Sequence, residues 1–146
     1  MIYAIDASLI LLTYKGKVLL TIRNNTSPIR SKQDIWSFIA GIRKQKESFD
    51  QAIQRKVSET TGILLPQVTL LSHWVYNKKK KYFFHAELTD EQVNNLERKE
   101  GEVIDFFSHD ELAKLSLDRL TTLFIAKHKD LLEKMPRSSS RNYSMS

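Results

Sequence analysis

The chain has no cysteine, only four glycines and three prolines in 146 residues, and no long apolar run. Without thiols there is no disulfide framework, no thiolate metal centre and no cysteine nucleophile, which suits a reducing compartment. A membrane helix needs about 20 apolar residues in succession, and no window approaches that. Near the N-terminus, Ile5-Asp6-Ala7-Ser8 interrupts the apolar run before it could serve as a secretory h-region. The expected location is therefore cytoplasmic, with no membrane partner. Because glycine and proline are sparse, each marks a place: Lys15-Gly16 a turn, Pro28 a loop, Gly41 and Gly62 the two ends of a patterned segment.

What is present describes one soluble globular domain. A chain of 146 residues can bury a proper core, and 41% hydrophobic with 27% charged residues is ordinary for such a domain. The domain is placed at residues 1–135, with 136–146 a flexible, basic, serine-rich tail that has little to bury. The net charge is +6, and much of the excess is local. Lys78-Lys79-Lys80-Lys81 lies between two apolar, aromatic stretches, Val68 to Tyr76 and Tyr82 to Leu88. That arrangement predicts a β-hairpin with the lysines solvated at its tip. The same charge could steer phosphate or nucleic acid, so a basic nucleic-acid-interacting module stays as one alternative.

Alternation and turn residues predict strands at Ala7 to Tyr14, Lys17 to Ile22 and Ile35 to Ile39, with a loop over Asn24 to Asp34. Ser48, with Gln51 three residues on, is a capping-box pattern that opens a helix. Its buried stripe is Phe49, Ala52, Ile53 and Val57, and Gly62 ends it as a left-handed cap. Thr89 to Gln92 starts a short helix, Glu102 to Phe107 forms a strand, Ser108 caps another short helix, and Leu117 to Lys134 is a final amphipathic helix.

The stretch Gly41-Ile-Arg-Lys-Gln-Lys-Glu47-Ser-Phe-Asp-Gln-Ala-Ile-Gln-Arg55-Lys56-Val57-Ser-Glu59-Thr60-Thr-Gly62-Ile63 resembles the Nudix box, G-x5-E-x7-R-E-U-x-E-E-x-G-U, where U is bulky and aliphatic. The approach Trp36-Ser37-Phe38-Ile39-Ala40-Gly41 is similar to the family's W-x-x-P-G-G, and Glu102 to Leu112 resembles its closing strand and helix. The resemblance covers Ala7 to Leu132. It implies an α/β fold, the Nudix-type α/β/α sandwich with a mixed central sheet. It also implies hydrolysis of a diphosphate linked to a nucleoside or other group, with magnesium held by glutamates of the box helix. From the family, Glu47 and Arg55 are expected to pair and fix the loop onto the helix, with Gly41 and Gly62 as structural residues of the box.

Two box positions depart from the pattern. Lys56 and Thr60 stand where glutamates belong, leaving Glu59 as the one carboxylate among positions 56, 59 and 60, which share a helix face. Magnesium wants one or two protein carboxylates. At an effective dielectric near 20, an ammonium about 5 Å from a dication costs roughly 6–7 kcal/mol before screening. Lys44 adds to the positive charge, and Lys46 sits where glycine is common. The favoured reading is a Nudix-fold protein with weak or lost hydrolysis that still binds a phosphate-bearing small molecule, a nucleotide or a protein partner. Lys44, Lys56 and Trp74 are its candidate binding residues, with Lys56 expected to pair with Glu59. The alternative is an active magnesium-dependent pyrophosphohydrolase in which Glu59 works with Glu100 or Glu102. On that reading Mg2+ is the cofactor, weakly held at Glu59; otherwise there is none. His85 on a strand is a conceivable general base.

Overall fold

The computed structural model describes residues 6–22, 34–76, 78–97 and 103–134. The architecture follows from strand β1 (Ala7–Tyr14), which is buried on both faces. Leu9 and Leu11 point into one core, Ile10 and Leu12 into another, all at 2% exposure or less. A strand buried on both sides needs a layer of helices on each. β1 turns through Lys15-Gly16 into β2 (Lys17–Ile22). The two then diverge, and the segment Ile35 to Ile42 spans the gap between them. Its first part, β3 (Ile35–Ser37), pairs with β2, and its second, β4 (Ile39–Ile42), pairs with β1. The single strand expected over Ile35 to Ile39 is thus two. At the break the Phe38 N–H leaves the ladder and donates to Thr121 Oγ1 at 3.0 Å.

Helix α1 (Phe49–Thr61) has the Ser48–Gln51 capping box, and Gly62 closes it at φ 78°. Then follow β5 (Thr69–Tyr76), β6 (Lys79–Glu87), α2 (Asp90–Asn94), β7 (Val103–Ser108), α3 (His109–Leu112), β8 (Ser116–Leu117), α4 (Arg119–Lys127) and α5 (Lys129–Glu133). The sheet runs β5-β6-β1-β2-β3-β8, with β4 joined to β1 and β7 to β2. The β1–β6 and β3–β8 pairs are parallel and the others antiparallel, so the sheet is mixed. α1 packs Ile53 and Val57 on one face, with Phe84 and Ile104. Leu112, Leu120, Phe124 and Leu132, from α3 to α5, cover the other with Phe83.

Two expectations need correction. The lysine run is not solvated throughout: Lys78, Lys79 and Lys80 are exposed beside the β5–β6 turn as expected, but Lys81 is fully buried between Trp74 of β5 and Ala7 of β1. Alternation back from buried Phe83 turns Lys81 inward, and burial pushes its ammonium pKa down. The final helix is also two, broken at His128. There the imidazole Nδ1 lies 3.0 Å from the Phe124 carbonyl and Nε2 lies 2.9 Å from Ser72 Oγ. Among the described residues no helix is long and apolar enough to cross a membrane.

Candidate functional site

Gly41 brings β4 against α1. A Cβ there would lie 2.9 Å from the Ala52 carbonyl oxygen and 3.0 Å from Lys56 Cβ. The residue is glycine because helix and strand touch, not because its backbone is left-handed. Beyond it the chain runs out of the sheet through a short loop into α1, and a tight electrostatic clasp sets the loop's shape. Arg55 Nε donates to Glu47 Oε2 at 2.7 Å and Arg55 Nη2 to Glu47 Oε1 at 3.1 Å. Arg55 Nη2 also donates to the Ile42 carbonyl at 2.9 Å, and the Lys44 N–H to Glu47 Oε1 at 2.9 Å. The Arg55 guanidinium, helped by the Lys44 N–H, holds the Glu47 carboxyl at about 2, well below its usual range. The same pairing with Glu47 pushes the Arg55 pKa up. A planar guanidinium suits this fork, where lysine would not.

Between the loop and the helix lies an open cleft of about 380 Å³, lined by Ala40, Ile42, Lys44, Arg55, Lys56 and Glu59. Lys44, Lys56 and Glu59 therefore come together, as the box spacing implies. Their pairing differs from expectation. The Glu59 carboxylate meets Arg55 Nη1 at 3.3 Å, one helical turn back, not Lys56. Lys44 and Lys56 enter no ion pair among the described residues. Thr60 is buried at 5% exposure and does not line the cleft.

Trp74 lies elsewhere. It packs edge-on against Phe83, 5.4 Å between centroids, with Lys127 of α4 over its ring at 5.3 Å, on the sheet face opposite α1. Its indole N–H is buried without a hydrogen-bond partner among the described residues. On the α1 face, sequence reasoning missed a stack. Arg43 lies 4.6 Å from the Phe49 centroid, Phe49 stacks on Tyr82 at 3.9 Å, and Tyr82 on His73 at 5.0 Å. Arg43 directly precedes Lys44 of the cleft. Glu100, Glu102, most of the Asn24 to Asp34 loop and the 136–146 tail lie outside the described residues. Glu97, three residues before Glu100, is described and rests against Gly62 at the C-terminal end of α1.

This donor set can be weighed against a hard dication, which needs oxygen ligands. Among the described residues the cleft offers one carboxylate, already engaged by a guanidinium, and two further ammonium groups. No group of three or more His, Cys, Asp or Glu among the described residues could hold a metal. These residues do not fit magnesium.

A mixed sheet between helical layers of this kind is found repeatedly among solved structures. MutT of Aliivibrio salmonicida and Vibrio cholerae is 19% identical, with a TM-score of 0.66 over 84% of this chain and 98% of that one. The MutT NUDIX hydrolase of Burkholderia pseudomallei is 18% identical, with a TM-score of 0.65 over 84% and 96%. The NUDIX domain of Shewanella oneidensis NrtR, solved in complex with ADP ribose, is 15% identical, with a TM-score of 0.62 over 88% of each chain. At these identities the likeness concerns the fold. A comparison with curated protein sequences gives no match. The NUDIX domain family profile matches residues 3–128, and the chain belongs to the Nudix family.

Proposed function

We propose that this Nudix protein binds a phosphate-bearing small molecule, a nucleotide or related diphosphate, in the cleft beside Gly41, and hydrolyses it weakly or not at all. The observation that carries this reading is the cleft's charge: Lys44, Arg55 and Lys56 line it with a single carboxylate, Glu59. Arg55 is spent on Glu47 and Glu59, whereas Lys44 and Lys56 enter no ion pair among the described residues. Two such ammonium groups attract phosphate oxygens directly and need no bridging cation. The NUDIX domain of NrtR, solved with ADP ribose, gives an instance of this fold holding a diphosphate ligand.

Calorimetry in the presence of a chelator tests the reading. Pyrophosphate and ADP should bind saturably without metal, and Lys44→Ala with Lys56→Ala should weaken both at least about tenfold. Magnesium should release little phosphate from nucleoside diphosphate derivatives. Brisk magnesium-dependent turnover abolished by Glu59→Gln would overturn the proposal and favour an active pyrophosphohydrolase. Steeply salt-dependent binding to RNA or DNA in place of nucleotide would favour the nucleic-acid module.

A further inference from the structure

The far end of the sheet holds a second hollow, of opposite chemical character. It measures about 250 Å³, and Leu65, Gln67, Thr69, His85, Glu87 and Thr89 contribute to its wall. Among the described residues no lysine or arginine lines it, in a chain whose net charge is +6. It is remote from the box cleft. In the sheet, Ser8 of β1 sits beside Gly41, whereas Thr13, five residues on, sits beside Glu87. At the rise of a strand that separates the two by about 17 Å.

Behind the hollow runs a three-residue relay whose proton positions can be assigned. Thr13 Oγ1 donates to Glu87 Oε1, and it lies 2.9 Å from His85 Nε2. An ionised carboxylate only accepts, and a hydroxyl carries one proton. Thr13 therefore gives its proton to Glu87 and must receive one from His85, so Nε2 bears the hydrogen. In the neutral ring Nδ1 is then left with its lone pair. Burial favours that neutral form by pushing the imidazole pKa down, although Glu87 pulls the other way. Nδ1 takes no hydrogen bond among the described residues and is not one of the buried, unpartnered polar atoms, so it meets solvent. His85 lines the hollow. Gln92 is already committed, accepting from the Thr89 N–H and donating to the Leu64 carbonyl. The wall's charged and imidazole groups thus offer a carboxylate with one oxygen unspent and a lone pair, beside the Gln67 amide and the Thr69 hydroxyl, which can donate or accept. Glu87 and His85 Nδ1 are the two side-chain groups there that can only accept.

We propose that this hollow binds a small organic cation with N–H donors, a primary ammonium or guanidinium group. Glu87 supplies the opposite charge and His85 Nδ1 accepts one N–H. The Thr13 relay holds the imidazole in the required tautomer. At about 250 Å³ the hollow has room for a group of a few heavy atoms. The proposal is independent of phosphate binding at the box cleft.

The test is nitrogen-detected imidazole NMR on the full chain at neutral pH, titrated with methylguanidinium and ethylammonium chlorides. Tetramethylammonium, which has no N–H, and sodium chloride serve as controls at equal ionic strength. The expected result is an Nε2–H tautomer for His85 and a saturable shift of Nδ1, with dissociation constants on the order of millimolar for ligands this small. Glu87→Gln should weaken binding about tenfold or more, and Thr13→Val should release the tautomer. An Nδ1–H tautomer in the wild type, no saturation, or an equal response to tetramethylammonium would overturn the proposal. The wild-type titration decides alone should a variant fail to fold.

Discussion

Replacing Lys56 with glutamate asks directly whether charge is what bars a dication from the cleft. Lys56 lines the cleft one turn before Glu59, and side chains three apart on a helix lie about 5–6 Å from each other. A dication seated on Glu59 would thus sit about 5 Å from the ammonium. The repulsion is roughly 6–7 kcal/mol at an effective dielectric near 20 and about 1.7 kcal/mol in bulk water. Glu59 is half exposed, at 50%, and the cleft is open, so the lower figure is the safer basis. Lys56→Glu removes that repulsion and adds an equal attraction, a change of at least about 3 kcal/mol, or roughly two orders of magnitude in Kd. Arg55 competes for Glu59 in both proteins and cancels from the comparison. Manganese binding followed by water-proton relaxation, with magnesium as competitor, gives the number. A wild type that binds manganese tightly with Lys56 unaltered would refute the reasoning, and so would a substitution that leaves Kd unchanged. Adding Thr60→Glu should not help in proportion. Thr60 is 5% exposed, and an unpaired carboxylate there costs stability unless a metal meets it.

Further outcomes follow from the same geometry. Gly41→Ala forces a Cβ to 2.9 Å from the Ala52 carbonyl oxygen and should lower stability by about 1–3 kcal/mol in urea denaturation; an unchanged midpoint would mean that β4 and α1 can part without cost. Lys46 holds φ at 68°, so Lys46→Gly should raise stability by up to about 1 kcal/mol, measured the same way. Glu47 titrates at about 2 when folded against an ordinary 4.5, so its stabilisation is complete above about 4.5 and is lost as pH falls towards 2; Arg55→Leu should flatten that part of the stability curve. His85 and His128 are both depressed by burial. The unfolded chain then takes up protons first, and stability should begin to fall as pH drops below about 6.5, with thermal melts across that range as the check. Buried Lys81 should acetylate more slowly than its neighbours Lys79 and Lys80 when labelling is followed by mass spectrometry.

Much of this was legible because it is local chemistry. The capping boxes at Ser48, Thr89 and Ser108 are each satisfied by the side chain three residues on, and nothing distant has to cooperate. The left-handed cap at Gly62 is of the same kind. What could not be read depends on partners far along the chain. Four lysines in a row do not reveal that the fourth turns inward, because that depends on β6 continuing the alternation of Phe83. The helix break at His128 carries no proline or glycine; it arises where the imidazole reaches Ser72, 56 residues earlier. The irregular register between Leu70 and Ser72 changes which face β5 presents to each layer, so no count from Trp74 alone assigns it to the α4 side.

The box itself divides along the same line, and the division bears on function. Its shape rests on the Glu47–Arg55 fork with its bonds to the Lys44 and Ile42 backbone, on Gly41 against α1 and on the Gly62 cap. The cleft-lining positions 56 and 59 add to the Glu47–Arg55 fork only the outer pair of Arg55 with Glu59. The first set can therefore keep a loop–helix cleft in place while the second changes sign. A cleft that keeps its form but exchanges carboxylates for ammonium groups loses affinity for dications and gains it for the anions those dications would have carried. That exchange ties the box scaffold to Lys44 and Lys56, which enter no ion pair among the described residues, and the charge of Lys56 alone is enough to test it.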